Sequence, residues 1–475
     1  MRQVALDTRG TWLPLGIGTV AGLLAVILLG LPVKWMIAIL AALVIGVVAL
    51  TQTDLRRYFI VLLVLSLPLA TFSKQFFARE GYFGVPGIGF GIIDMVLVAL
   101  YAHWIATGVD TNGPRRVLRS PVNLAALAFL AATALSLFVA EDRALALFGL
   151  FDMVKAYALF FYVACNVRPR YLGWIVDALC ATVLLQELLA VAQYFTGSSL
   201  GLASLGESEL MRMTFGGETF VRVAATLVHP NQFSNFLGVL LPILLSVLLT
   251  GRRGPGRRIL YSTVFALGML VFILSFSRTG WIHIAASSLV VLLLSVRRGI
   301  VRREISNVAV VGGLLASIML LVFSGAIVAR LFQSDAVLVT MRFDMARVAL
   351  RMIGDSPVLG MGANNYVNVL PDYDFLGVMS APVHNLYLLI AAELGAVGLA
   401  SFLVVVATLV RRLLQAGRTS HVLSGAIAVG LLGATAGFAV DGLSDFSYAL
   451  ASMHALFWFS AGLAVALGPH PGQDG

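Results

Sequence analysis

Apolar runs of about twenty residues recur along the whole 475-residue chain. A helix of that length just crosses a hydrocarbon core of roughly 30 Å. Lipid offers the backbone no hydrogen-bond partner, so such runs must bond internally, as helices. Apolar residues make up 60% of the chain, charged residues only 12%, and the mean hydropathy is +0.96. That balance excludes a soluble globular domain. Candidate spans fall at 12–30, 33–51, 58–72, 88–107, 121–140, 145–166, 171–196, 233–250, 259–276, 280–296, 307–325, 385–410, 421–440 and 446–467. The expected fold class is all-α integral membrane, with about 14 transmembrane helices. The first run has no small-residue cleavage site and leads straight into another span, so it reads as a retained helix rather than a signal peptide.

The net charge of +9 does not indicate nucleic-acid binding, because the basic residues form short clusters between spans. With fourteen spans, Arg2/Arg9, Arg56/Arg57, Arg115/Arg116/Arg119, Arg168/Arg170, Arg252/Arg253/Arg257/Arg258, Arg297/Arg298/Arg302/Arg303 and Arg411/Arg412/Arg418 all fall on one side. These are twenty of the 32 Lys and Arg, and the asymmetry assigns that side and both termini to the cytoplasm. The other face then receives the Lys74–Pro86 loop, segment 197–232, the Ser277-Arg278 turn and a long loop, 326–384. Cys165 and Cys180 both lie in spans and read as packing.

The long loop is the most polar stretch between spans, carrying Arg342, Arg347, Arg351, Asp355, Asn364, Asn365, Tyr366 and His384. Within it, Thr340–Ile353 alternates arginines with an apolar face at helical spacing, which predicts an amphipathic helix. Asp355-Ser356-Pro357 ends it, and Gly360-Met361-Gly362 follows as a turn.

Several of these residues have both a bland and a chemical reading. Arg278 sits between two apolar spans, where an arginine at the midplane costs about 2.5–3.5 kcal/mol. It fits either a snorkelling interfacial arginine or an anion site supplemented by Ser277 and the following helix start. Arg342 fits a headgroup contact or the same site, and Arg222 is a third cation on that face. His384, at a helix start with Asn385, is the candidate base, since neighbouring arginines would favour its neutral form. His229 is its rival on the same face. Asp152 and Lys155, three apart, are expected to pair within a span, and Asp94, Glu187, Glu393, Asp441 and Asp445 read as polar contacts in or near spans. No metal motif and no nucleotide loop is recognisable, so no cofactor is expected. Arginines that clamp a diphosphate, together with a histidine that deprotonates a hydroxyl, suit transfer from a lipid-borne activated donor.

Five pieces occur in order: Arg222 with His229-Pro230-Asn231; Ser277-Arg278-Thr279-Gly280; Arg342 with Ala349-Leu350; Ser356-Pro357-Val358-Leu359-Gly360-Met361-Gly362; and His384-Asn385-Leu386-Tyr387 with Glu393-Leu394-Gly395-Ala396-Val397-Gly398. Together they resemble the O-antigen ligase / O-antigen polymerase superfamily over about residues 215–410. Residues 1–214 and 411–475 would then be flanking transmembrane helices. The resemblance implies a metal-independent, inverting membrane glycosyltransferase at the periplasmic face of a bacterial inner membrane. Its donor would be an undecaprenyl-diphosphate-linked glycan. The acceptor would be a second glycan, lipid A–core or a protein hydroxyl, with a polymerase favoured slightly over a ligase. Carried over, Arg278 and Arg342 would hold the diphosphate, Arg222 would support them, and His384 would activate the acceptor. Ser277, Asn385 and His229 would be supporting residues. Membrane lipids and a chain-length regulator or export protein are the other expected partners, and nucleic acid is not. A transporter or flippase for an anionic lipid-linked solute, and a scaffold in an export complex, are the competing readings.

Overall fold

A computed structural model of the chain describes residues 44, 46–109, 112–215, 218–250, 254–298, 336–374, 381–419 and 421–467. The expected spans 12–30 and 307–325, and most of 33–51, lie outside the described residues. The chain divides into two units, Met1–Tyr58 and Phe59–Gly475. In the first, the described residues are helical around 46–50, and Asp54 Oδ1 accepts from Arg57 N at 3.0 Å as a helix begins.

In the second unit the described helices are α1 (Leu55–Ser66, continuing from the first unit), α2 (Ile92–Ala106), α3 (Asn112–Leu118), α4 (Pro121–Leu135), α5 (Arg143–Asn166), α6 (Leu172–Thr196) and α7 (Pro230–Leu249). They continue with α8 (Pro255–Leu274), α9 (Arg278–Arg297), α10 (Ala336–Asp355), α11 (Tyr366–Tyr373), α12 (Leu386–Ala416), α13 (Val422–Asp441) and α14 (Ala451–Ala466). Eight helical stretches among the described residues are long and apolar enough to cross a membrane, and α2 and α14 are shorter apolar helices. The protein is therefore a multi-pass, mostly helical membrane protein. The amphipathic pattern of Thr340–Ile353 forms helix α10, with Met345, Val348, Ala349 and Met352 buried.

The expectation of an all-α chain needs correction. Two antiparallel hairpins are present: β1 (Ser73–Phe76) with β2 (Ile88–Gly91), and β3 (Met211–Phe215) with β4 (Glu218–Arg222). In the second, the register runs from Met211 with Arg222 to Phe215 with Glu218. Neither hairpin needs a long apolar run, so a hydropathy reading passes over both.

Helices α7, α9 and α13 pack closely because glycines face their neighbours. A Cβ on Gly433 would stand 2.6 Å from Ser287 O, and one on Gly430 would stand 2.5 Å from Ile243 Cα. Small residues at such crossings let backbones approach, which is how helices associate where lipid removes the hydrophobic drive.

Helix α12 is not continuous. Gly395 has φ 65° and ψ −165°, a break nine residues into the helix and about 14 Å along it. Residues 357–362 fill the break. Met361 N donates to Ala392 O (2.8 Å) and Gly362 N to Glu393 O (2.9 Å). In return Ala396 N donates to Pro357 O (2.8 Å) and Val397 N to Val358 O (3.2 Å). Groups that the break would orphan are thereby paired, as irregular backbone within a membrane requires. The approach is so close that a Cβ on Gly395 would lie 2.2 Å from Val358 O, and one on Gly360 would lie 2.3 Å from the Glu393 carbonyl carbon.

Gly395→Ala is therefore expected to lower the thermal unfolding midpoint of the purified protein. Gly354→Ala, where a Cβ meets nothing within 4 Å, is expected to leave it unchanged. Differential scanning fluorimetry of the two variants checks this.

Candidate functional site

The interlock sets the start of α12, and with it His384. Asn385 caps the helix, its Oδ1 accepting from Leu388 N at 3.0 Å. The Asn385 amide donates to Leu443 O (2.9 Å), and Leu386 N donates to Gly442 O (2.8 Å). The helix start is thus fastened to the turn after α13, which carries Asp445 and Phe446. The Phe446 ring meets the His384 imidazole edge-on, with centroids 5.1 Å apart. His384 is half-buried, and its Nδ1 makes one long contact, 3.4 Å to Pro382 O.

Arg342 arrives on α10, one turn before Met345 on the same helical face. Met345, Val348, Ala349 and Met352 belong to a small core with Tyr366, Val369 and Leu370 of α11 and with Val383, Leu389 and Phe446. This core brings α10 to the His384 end of α12. The three arginines of α10 are sorted by position. All three are exposed; Arg347 pairs with Asp344 at 3.0 Å, and Arg342 lies near enough to Asp445 and His384 for their charges to interact. Arg278 opens α9. Ser277 caps that helix by accepting from Gly280 N at 3.2 Å, after a turn in which Phe276 takes a positive φ of 47°. Among the described residues, neither Arg278 nor Arg342 has a hydrogen bond or ion pair through its guanidinium.

Arg222 differs from both. It is buried, donating from Nε to Ser275 O (2.9 Å) and from its terminal nitrogen to Asn231 Oδ1 (2.9 Å). Asn231 in turn donates to Asp445 Oδ2 at 3.0 Å, and Asp445 Oδ1 accepts from Ser447 N (2.9 Å) and Oγ (2.7 Å). Arg222 is thus tied into the framework that fixes Asp445. His229 caps α7, its Nδ1 accepting from Asn231 N at 3.0 Å.

Electrostatics join these residues into one site. Burial lowers the His384 pKa from its ordinary value; Asp445 and the Pro382 carbonyl oppose this, and Arg342 adds to it. His384 is therefore a neutral imidazole near pH 7. Burial, helped by Arg222 and His384 and opposed by Asp445, brings His229 down to about 4. Desolvation lowers the Arg342 pKa, Asp445 raises it and Arg278 lowers it again. Arg278, Arg342, His384, His229 and Asp445 thus lie close enough for their charges to act on one another.

Residues 263–403 match the O-antigen ligase family model. The match, to the family labelled Wzy_C, spans less than half of the chain; it is a similarity to that family and is consistent with a membrane glycosyltransferase role in undecaprenyl-diphosphate-linked glycan biosynthesis. It covers Arg278, Arg342, His384 and both halves of the α12 interlock, while Arg222 and His229 lie upstream of it. No curated protein matches the chain.

Sequence reasoning undervalued two residues. Asp445 reads as an isolated carboxylate near a span, yet among the described residues it is the carboxylate whose charge acts on His384, His229 and Arg342 alike. Its signal was topological, because the short turn between the last two spans falls on the same face as His384. Phe446 gave no signal, since an aromatic residue beside a span is ordinary packing. Asn364 and Asn365, part of the polar loop, act as a latch. Asn364 Oδ1 accepts from Val85 N (2.9 Å) and its amide donates to Val85 O (2.8 Å), while Asn365 Oδ1 accepts from Asp142 N (2.9 Å).

In Asp445→Asn, loss of the negative charge removes an influence that raises the His384 pKa, so its protonation midpoint is expected to move to lower pH. Arg342→Ala removes a lowering influence, and the midpoint is expected to move up. Histidine-selective NMR titration of the full chain, with His384→Gln to assign the signal, measures both shifts.

Proposed function

We propose that the protein transfers glycan from undecaprenyl diphosphate to a sugar hydroxyl by a single inverting displacement that uses no metal. The observation that carries this reading is the convergence of two unpartnered arginines and one neutral histidine. Arg278 and Arg342 bind the diphosphate of the donor, where guanidinium groups can hold several phosphate oxygens at once. The acceptor hydroxyl lies against His384, whose free ring nitrogen takes the proton as the oxygen attacks the anomeric carbon. The new glycosidic bond forms on the face opposite the breaking bond to the diphosphate, so the anomeric configuration inverts. The negative charge released on the polyprenyl diphosphate falls between the two arginines. Asp445 acts through His384, keeping its proton affinity from falling too far beside the cations.

In this reading the chain has fourteen transmembrane helices, both termini cytoplasmic and the site facing the periplasm. The seven basic clusters on one side support that orientation. The acceptor is the end of another glycan in O-antigen or exopolysaccharide synthesis, in preference to lipid A–core or a protein hydroxyl. A transporter would use a broken helix to build a substrate passage. Here the Gly395 break is filled by the chain's own 357–362 segment, which favours an enzyme.

Proteoliposomes containing the protein, an undecaprenyl-diphosphate-linked repeat and a chelator are expected to yield a ladder of lengthening glycans on a gel. His384→Ala is expected to slow that reaction by roughly 100- to 10,000-fold. Arg278→Ala and Arg342→Ala are each expected to cost about 100- to 1,000-fold. A His384→Ala protein that is folded and fully active would overturn the proposal.

A further inference from the structure

The end of β4 and the residues just after it grip the turn that leads into Arg278. Residues 220–223 run alongside residues 274–276 in the opposite direction. The Phe220 ring packs on the Phe276 ring, with centroids 5.9 Å apart. Arg222 Nε donates to Ser275 O at 2.9 Å, and Val223 N makes a longer bond, 3.4 Å, to Leu274 O. Leu274, Ser275 and Phe276 are thus each met by one residue of the gripping segment. Arg278 follows two residues later, as the first residue of α9.

Phe276 needs this support. Its φ of 47° lies in the left-handed region, where a Cβ crowds the backbone, and its side chain is fully buried. An aromatic residue keeps that conformation only where its surroundings impose it. Only Ser275, Phe276 and Ser277 separate α8 from α9. The backbone of Phe276 therefore sets the direction in which α9 starts, and with it the place of Arg278.

The gripping segment is itself held from α6. Gln193 is buried and engages both ends of its amide. Its Nε2 donates to Ala225 O (3.0 Å) and Glu207 Oε1 (2.7 Å), and its Oε1 accepts from Ala224 N (3.2 Å) and Ala225 N (2.8 Å). Ala225 also has a positive φ, 51°. Deeper in α6, Gln186 Oε1 accepts from Thr226 N (3.2 Å) and Thr226 Oγ1 (3.0 Å). Crossing lipid requires neither glutamine, and loss of either would leave buried backbone groups without a partner.

We propose that Phe220 and Gln193 are positioning residues for the donor diphosphate, which they serve by fixing the turn before Arg278. The proposal rests on the donor reading above and deepens it. Gln193 sets residues 224–226, these set the 220–223 edge, and that edge sets Phe276 and hence Arg278. Neither residue touches the diphosphate itself. Both lie upstream of residues 263–403, so the donor site draws on a part of the chain that the family match does not cover.

Binding of farnesyl diphosphate to the full chain in nanodiscs, followed by phosphorus NMR, tests this. Phe220→Ala and Gln193→Met are each expected to weaken binding roughly tenfold, the loss of one well-placed charge-assisted hydrogen bond. Phe220→Tyr, which keeps the ring, is expected to bind like the unaltered chain. A Phe220→Ala/Arg278→Ala double variant is expected to bind no more weakly than Arg278→Ala alone, because the first change acts through the second residue. Hydrogen exchange of amides 276–281 is expected to rise in Phe220→Ala while that of α4 stays the same. Phe220→Ala carries the test even if Gln193→Met does not fold. Unchanged binding or unchanged exchange in Phe220→Ala overturns the proposal, and so does a double variant in which the two losses multiply. Failure of the donor reading looks different, because Arg278→Ala itself would then bind farnesyl diphosphate undiminished.

Discussion

The break in α12 at Gly395, and its repair by residues 357–362, is the constraint on which the rest of the site depends. Four backbone hydrogen bonds cross it, two in each direction. At that depth an unpaired amide or carbonyl would cost several kcal/mol, so the two segments form together or not at all. The interlock fixes the loop that leads from α10 into α11 and anchors the half of α12 that begins beside His384. The polar residues are arranged around this backbone frame.

From that frame the chemistry sorts by element. α9 supplies Arg278, α10 supplies Arg342, the start of α12 supplies His384, and the turn after α13 supplies Asp445. The buried chain Ser275–Arg222–Asn231–Asp445–Ser447 keeps the last of these in place. Among the described residues, Arg278 and Arg342 have no protein partner for their guanidinium groups, and both lie near the half-buried His384. Arg222 is the opposite case: its donors are engaged with Ser275 and Asn231, and it serves to hold the site in shape.

Much of this was legible in the chain, for identifiable reasons. The helices from Pro121 to Arg297 fall within a few residues of the apolar runs, because length and hydropathy alone decide whether a segment can cross lipid. Helix α10 was visible because its apolar residues recur at helical spacing. Arg278 stood out because an arginine between two apolar spans is costly, and Arg342 and His384 because the charge pattern puts them on the same face. The hairpins, the interlock and the place of Asp445 beside His384 were not legible. Each depends on pairing between segments far apart in the chain, and such pairing leaves no local pattern. Gly360 and Gly395 were readable as glycines in a motif, but only the structure shows Gly360 pressed against the backbone of Glu393 and Gly395 against that of Val358. The basic residues gave an orientation through their sum, whereas Asp445 acquires meaning only from its neighbours.

The central claim is a single displacement by a hydroxyl that His384 has deprotonated, with the diphosphate leaving between Arg278 and Arg342. The anomeric configuration of the product tests it most directly. A donor of known configuration, linked to a polyprenyl diphosphate, would be turned over by the reconstituted protein, and the new linkage read by proton and carbon NMR couplings. Inversion at the transferred carbon is the result the account predicts. Retention would require a covalent or two-step route and would contradict it.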